Sequence, residues 1–217
     1  MTTTFDAAEV LTAYQGIRER TVDLLRSIAP GQETIIVPSC PAWTVQQLVC
    51  HLVGTIDDIV NGRLDGAGSD AWTAAQVERH AGDSVAHLAD LFEGTAASFD
   101  PVMAVIPAPV NLQIVMDQAA HEHDLRLAIG VFGAQDAPSI PMATAYLLGG
   151  LQRVNPQLVE QIRALPIDEF ELFRSVTGRR SAAQLRAIGF PVEEFSTFLA
   201  SSPMAISPVD IVDGSPA

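Results

Sequence analysis

The chain has 217 residues, 48% apolar and 18% charged, which suffices to bury one core and is too apolar for a disordered segment. A formal charge of −14 argues against nucleic-acid phosphates and anionic membranes as partners. All twelve basic residues are Arg, which excludes lysine-based catalysis. No run approaches ~18 consecutive apolar residues, and Met1 to Asp6 lacks the basic and apolar stretches of a secretion signal. With two cysteines, Cys40 and Cys50, the expected setting is reduced and cytoplasmic.

Apolar positions from Val10 to Ile28 recur with a 3.6-residue period, so the first helix is placed at Asp6 to Ile28, stopped by Pro30-Gly31. A loop containing Pro38-Ser-Cys-Pro41 follows. Thr44 and Gln47 form a capping-box pattern that opens a second helix running to Asn61-Gly62 and sets His51 two turns inside it. A short helix from Asp70 is interrupted near Gly82, and Asp83 is expected to cap a longer one through Phe92. Phe99-Asp-Pro101 and Pro107-Ala-Pro109 are placed in turns. The fourth long helix spans Val110 to Ile129, with Gly130 as its terminating residue. Further helices are expected at Met142 to Leu165, Ile167 to Thr177 and Ser181 to Ile188, with Gly149-Gly150 as a close-packing point. The last ~27 residues, holding four prolines, are expected to lie along the surface or fray. No β-alternation or internal repeat is evident. The predicted fold is all-α: an antiparallel four-helix bundle over residues 1–135, with a helical extension over 136–217 packed on it and an irregular tail.

Asp117 and His121 stand four residues apart on the fourth helix and share one face, with Asp124 a turn further on. A carboxylate and an imidazole on adjacent turns can hold two corners of a metal, and Asp124 can accept the free N–H of His121. The alternative is a solvated helix face. Taken alone, His51 is either a satisfied core histidine or a third ligand. His123 points to a different side of the helix from Asp117, near a pocket rim at most, and His80 and His87 are placed at the surface. Cys50 points about 100° from His51, so both cysteines are read as inert thiols rather than nucleophiles.

Val37-Pro-Ser-Cys-Pro-Ala-Trp43-Thr-Val-Gln-Gln-Leu-Val-Cys-His51-Leu resembles the signature of the mycothiol-dependent maleylpyruvate isomerase family of the DinB-like superfamily. In that family Cys-Pro-Gly-Trp-Thr-Val precedes a helix with a metal-binding His, and the fourth helix carries an acidic residue, His four later, then Asp and Arg. The corresponding residues here are Asp117, His121, Asp124 and Arg126. Trp72 to Arg79 is similar to the family's third-helix region, and Phe170 to Gln184 to the C-terminal part of a subset. The resemblance spans about residues 5–130. It implies a DinB-like bundle, a divalent metal on His51, Asp117 and His121, and chemistry with a low-molecular-weight thiol. Two departures are visible: the isomerase uses Glu where this chain has Asp117, and it carries a C-terminal α/β domain.

The expected activity is therefore metal-dependent isomerisation or S-transfer on a small electrophile. Zinc is the default metal, and nickel or iron also suits mixed His/carboxylate ligation. Arg126 is the candidate for binding a carboxylate of thiol or substrate, with a surface ion pair as the alternative. Expected partners are substrate and thiol, without nucleic acid or membrane, and a homodimer is compatible with this reading. Two rival classes are a non-catalytic binding module and a metal-assisted hydrolase.

Overall fold

The computed structural model describes residues 4–200 and 204–213, and these form an all-α protein with one two-stranded hairpin. Helix α1 (Ala7–Ser27) opens with a reciprocal box: Asp6 accepts from the Glu9 backbone N–H at 2.8 Å, and Glu9 accepts from that of Asp6 at 2.9 Å. Its stripe of Val10, Tyr14, Ile17 and Leu24 is buried. Strands β1 (Ile36–Val37) and β2 (Cys40–Thr44) pair antiparallel around Pro38-Ser39. They correct the expectation of no strands. A pair this short offers no periodicity to detect. Thr44 then caps α2 (Val45–Val60) through the anticipated box with Gln47.

Helices α3 (Asp70–His80), α4 (Val85–Met103) and α5 (Val110–Ile129) follow. Ser84, not Asp83, caps α4, accepting from the His87 N–H. Pro101 lies in the last turn of α4 rather than in a turn of its own. Gly130 ends α5 in the left-handed conformation. Helix α1 packs on α4 and α5, and α2 packs on the same two, which closes a four-helix bundle. Helix α5 also contacts β1 and α6 (Ser139–Val154). Surrounded in this way, residues 118–126 of α5 are all buried, including Gln118, His121, Glu122, His123, Asp124 and Arg126. Such a row demands a partner for every charge.

The single helix expected over Met142 to Leu165 is broken at Asn155, which caps α7 (Pro156–Arg163) by accepting from Leu158 N–H. Pro156 occupies the first helical position, where no N–H is needed. Helices α8 (Glu169–Val176), α9 (Ala182–Ala187) and α10 (Val192–Leu199) complete the order. Two apolar cores result, and α6 and α8 bridge them. Ile140, Ala143, Phe170 and Phe173 pack into the bundle, whereas Leu148, Leu151, Leu172 and Val176 pack with Ile162, Leu185 and Phe195. A Cβ at Gly149 would meet nothing within 4 Å, and one at Gly150 only the side-chain ends of Phe198 and Arg153 at 3.7 and 3.9 Å, so this pair is not a close-packing point.

The stretch expected to lie along the surface or fray is corrected in part: α10 falls within it and buries Val192, Phe195 and Leu199, while residues 204–213 are irregular but held. Ser207 N–H donates to the Gly178 carbonyl at 3.0 Å, and Arg174 and Arg180 both hold Asp213 at 3.0 Å. Gly178 has φ +76°, and a Cβ there would overlap the Ala205 carbonyl oxygen. Gly178→Ala should therefore lower stability by about 1–3 kcal/mol, read as a drop in Tm together with faster proteolysis at residues 204–213.

Outside the site, Arg18 grips Asp100 with Nη1–Oδ1 at 2.5 Å and Nη2–Oδ2 at 3.0 Å, and Gln15 adds a bond at 2.8 Å. Burial would raise the Asp100 pKa, but the Arg18 and Gln15 hydrogen bonds outweigh it and leave it below the ordinary carboxylate value. Its contribution is thus present above the unfolded-state pKa and lost as pH falls through the depressed folded value. Asp100→Asn should cost about 1–3 kcal/mol at pH 7, with the gap from wild type closing in urea titrations at acid pH.

Candidate metal centre

The ring of His51 is held from outside the bundle. Its Nδ1 lies 2.8 Å from Gln76 Oε1 on α3, and Gln76 Nε2 donates to Asp58 Oδ2 at 2.9 Å. Asp58 is buried and paired with Arg63 Nε at 2.7 Å and Arg79 Nη1 at 2.9 Å. Burial raises the Asp58 pKa, but Gln76 and the two guanidiniums outweigh it and keep it below the ordinary value. An ionised Asp58 can only accept, which orients the Gln76 amide with its oxygen toward His51. His51 Nδ1 must then donate, and Nε2 is left as a bare lone pair in the neutral ring. Gly54 makes this possible: a Cβ there would stand 2.6 Å from Gln76 Cβ, so only glycine lets α3 approach α2 so closely.

His121 follows the same logic. Its Nδ1 lies 3.1 Å from Asp124 Oδ2. Asp124 is fully buried and accepts from Arg174 and Arg179, so it is ionised and Nδ1 is the donor. Burial would raise the Asp124 pKa, yet the guanidiniums and His121 hold it well below the carboxylate range. The Nε2 of His121 is left free.

Asp117 faces both bare nitrogens. Its Oδ1 is 3.7 Å from His51 Nε2 and 3.7 Å from His121 Nε2, too far for a hydrogen bond to either. The three donor atoms all lie within 4.8 Å of one another. Ligand atoms around a tetrahedral zinc, bound at 2.0–2.2 Å, sit roughly 3.3–3.6 Å apart, so small side-chain shifts would close the set on an ion. Burial would raise Asp117 and lower His51. Each moves the other way, Asp117 to about 2 and His51 above its ordinary value, because the two groups face one another. Trp43 walls the group, its ring 5.1 Å from His51 and 6.1 Å from His121. The Asp117 side chain is 30% exposed, which leaves the centre open on that side.

A second cluster, Cys40, His121 and Asp124, also meets donor spacing. It is a poor cation site because Asp124 is already neutralised by two guanidiniums. Burial, then Asp124, pushes the Cys40 thiol up to about 12, and burial, then Asp83, pushes Cys50 up to about 11. Both are protonated at neutral pH, as their reading as inert thiols requires.

Other residues lie differently from expectation. His123 is not at a rim. It is buried against Phe170 and Phe173, and burial lowers its pKa to about 4. His80 is buried rather than at the surface, with Nδ1 2.9 Å from Asp83 Oδ2, whereas His87 is exposed. The guanidinium of Arg126, read as meeting thiol or substrate or else forming a surface ion pair, forms a buried pair with Glu122, with Nε and Nη2 at 3.0 and 2.8 Å from Oε1. Arg126 and His123 line a cavity of about 10 Å³, room for a single water. A groove of about 590 Å³ runs along α1 past Glu9, Gly16 and Met142, and includes none of the three candidate ligands.

Gln76, Asp58, Ser39, Arg174 and Arg179 were not anticipated from sequence. Gln76, Ser39, Arg174 and Arg179 lie in the three segments that resemble the family, which was the one hint the sequence carried; Asp58 lies between them.

Fold and site together define an all-α bundle protein with two histidines and one carboxylate converging beside a tryptophan. The chain belongs to the mycothiol maleylpyruvate isomerase N-terminal domain family, whose model matches residues 14–130, just over half of the chain. No curated protein and no solved structure matches it.

Packing at Gly54 yields a test. Alanine gains about 1 kcal/mol in helix propensity, but the Gln76 contact should cost about 1–3 kcal/mol, so Gly54→Ala should lower Tm. Gly94 on α4 is exposed and meets nothing within 4 Å. Gly94→Ala should raise Tm in the same assay.

Proposed function

We propose that this chain is a divalent-metal enzyme that uses a low-molecular-weight thiol, of the mycothiol kind, to isomerise or S-conjugate a small electrophilic substrate. The observation that carries this reading is the convergence of two bare imidazole nitrogens and a carboxylate oxygen, with both Nδ1 atoms already committed elsewhere. His51, His121 and Asp117 would hold the metal, and zinc suits that donor set best. A divalent cation in such a site supplies Lewis acidity that makes a thiolate available near neutral pH.

The chain's own residues do the rest. Gln76 and Asp124 fix the two rings, and Trp43 shields one flank from water. Asp117 lies on the accessible side, where thiol and substrate must enter. Burial raises the pKa of both of the protein's own cysteines, which favours a reactive thiol supplied from solution. Family membership supports mycothiol as that thiol. Asp117 is shorter by one methylene than the Glu of the isomerase, and the described residues after 135 form helices and an irregular segment rather than an α/β domain. Both points favour a substrate other than maleylpyruvate.

Metal analysis of protein purified without added metal should find about one equivalent per chain, lost in His121→Ala. No metal in the wild type would sink the proposal. An electrophile panel assayed with and without mycothiol should show turnover only with the thiol. Turnover without it would point to metal-assisted hydrolysis, and bound metal with no turnover to a binding module.

A further inference from the structure

Resting on the reading of His121 as a metal ligand, we infer that Arg179 is a positioning residue for that ligand, so the centre is completed from outside the family-matched residues 14–130. Arg179 sits in the turn between α8 and α9. That turn is fixed by Arg179 N–H donating to the Arg174 carbonyl at 2.8 Å, and by the positive φ of Gly178. The segment at 204–213 clamps it through Ser207 and Asp213. Nη1 of Arg179 donates to the Thr177 carbonyl at 2.6 Å, which locks the guanidinium against its own turn.

The remaining edge of Arg179 faces Asp124, with Nε 3.3 Å from Oδ1 and Nη2 2.7 Å from Oδ2. Such a two-point grip fixes the plane of the carboxylate as well as its charge. Other donors divide unevenly. Oδ1 also receives Ser39 at 2.6 Å and Arg174 at 3.1 Å. Among the described residues, Oδ2, the oxygen that meets His121, otherwise has only the Cys40 thiol at 3.7 Å. Without Arg179 the carboxylate keeps Ser39 and Arg174 on Oδ1 but loses the guanidinium that fixes Oδ2 and the plane. The acceptor that commits His121 to the Nδ1–H form is then no longer held in place. Arg174 neutralises Asp124, and Arg179 aims it.

The test is zinc titration of the metal-stripped full chain, paired with ¹⁵N NMR of the His121 ring in metal-free protein at alkaline pH. Arg179→Met should weaken zinc binding about 10- to 100-fold and replace the single Nδ1–H tautomer by a mixture. Arg179→Lys, which reaches one oxygen only, should fall between variant and wild type in both readouts. Wild-type affinity with a single tautomer in Arg179→Met overturns the inference. So does lost affinity with the tautomer unchanged, the result of a merely structural role. If Arg179→Met does not fold, Arg179→Lys is decisive: a mixed tautomer with weaker zinc binding supports the inference, and wild-type values overturn it. A wild-type chain that binds no zinc overturns the proposed function instead, and the tautomer measurement still decides the role of Arg179.

Discussion

A carboxylate with no access to water, that of Asp124, receives three donors on each oxygen, and the architecture around the site is arranged to supply them. An uncompensated buried charge costs several kcal/mol. Here the compensation comes from three separate pieces of chain. The hairpin brings Ser39 and Cys40, α8 brings Arg174, and the turn after it brings Arg179. Helix α5 is thereby tied to the N-terminal hairpin and to the C-terminal helices through one side chain.

The two histidines are supported by the same device built from different parts. Behind His121 stands a carboxylate neutralised by Arg174 and Arg179. Behind His51 stands an amide whose orientation is set by a carboxylate neutralised by Arg63 and Arg79. In both, a buried acid that can only accept forces the polarity of the chain of hydrogen bonds, and the ring nitrogen at its end is left bare. Four of the twelve arginines of this acidic protein stand behind the two rings.

Much of the local structure was legible. The boundaries of α5, the Thr44–Gln47 cap and the Asp6 start rest on contacts within a few residues, and periodicity and capping chemistry report those directly. The His121–Asp124 pair was legible for the same reason, since positions three apart on a helix meet. The Asn155-Pro156 break was missed although its signal was local: a capping side chain followed by proline at the first helical position. The hairpin was missed because two and five residues are too few for alternation to show.

The sequence by itself determined most of the helices and which residues of α5 share a face, because these follow from backbone chemistry and a 3.6-residue period, but it did not announce the Asn155 break, the far end of α4 or α10. Tertiary structure alone decided which polar residues meet across elements. That Gln76 reaches His51 depends on Gly54 letting α3 close on α2, and nothing in the spacing of 54 and 76 announces it. That Arg126 and His123 turn toward Glu122 and the phenylalanines, while Arg174 and Arg179 take Asp124, depends on how the C-terminal helices dock on α5. Buried charges take the partners that packing brings within reach, and packing is a property of the assembled fold.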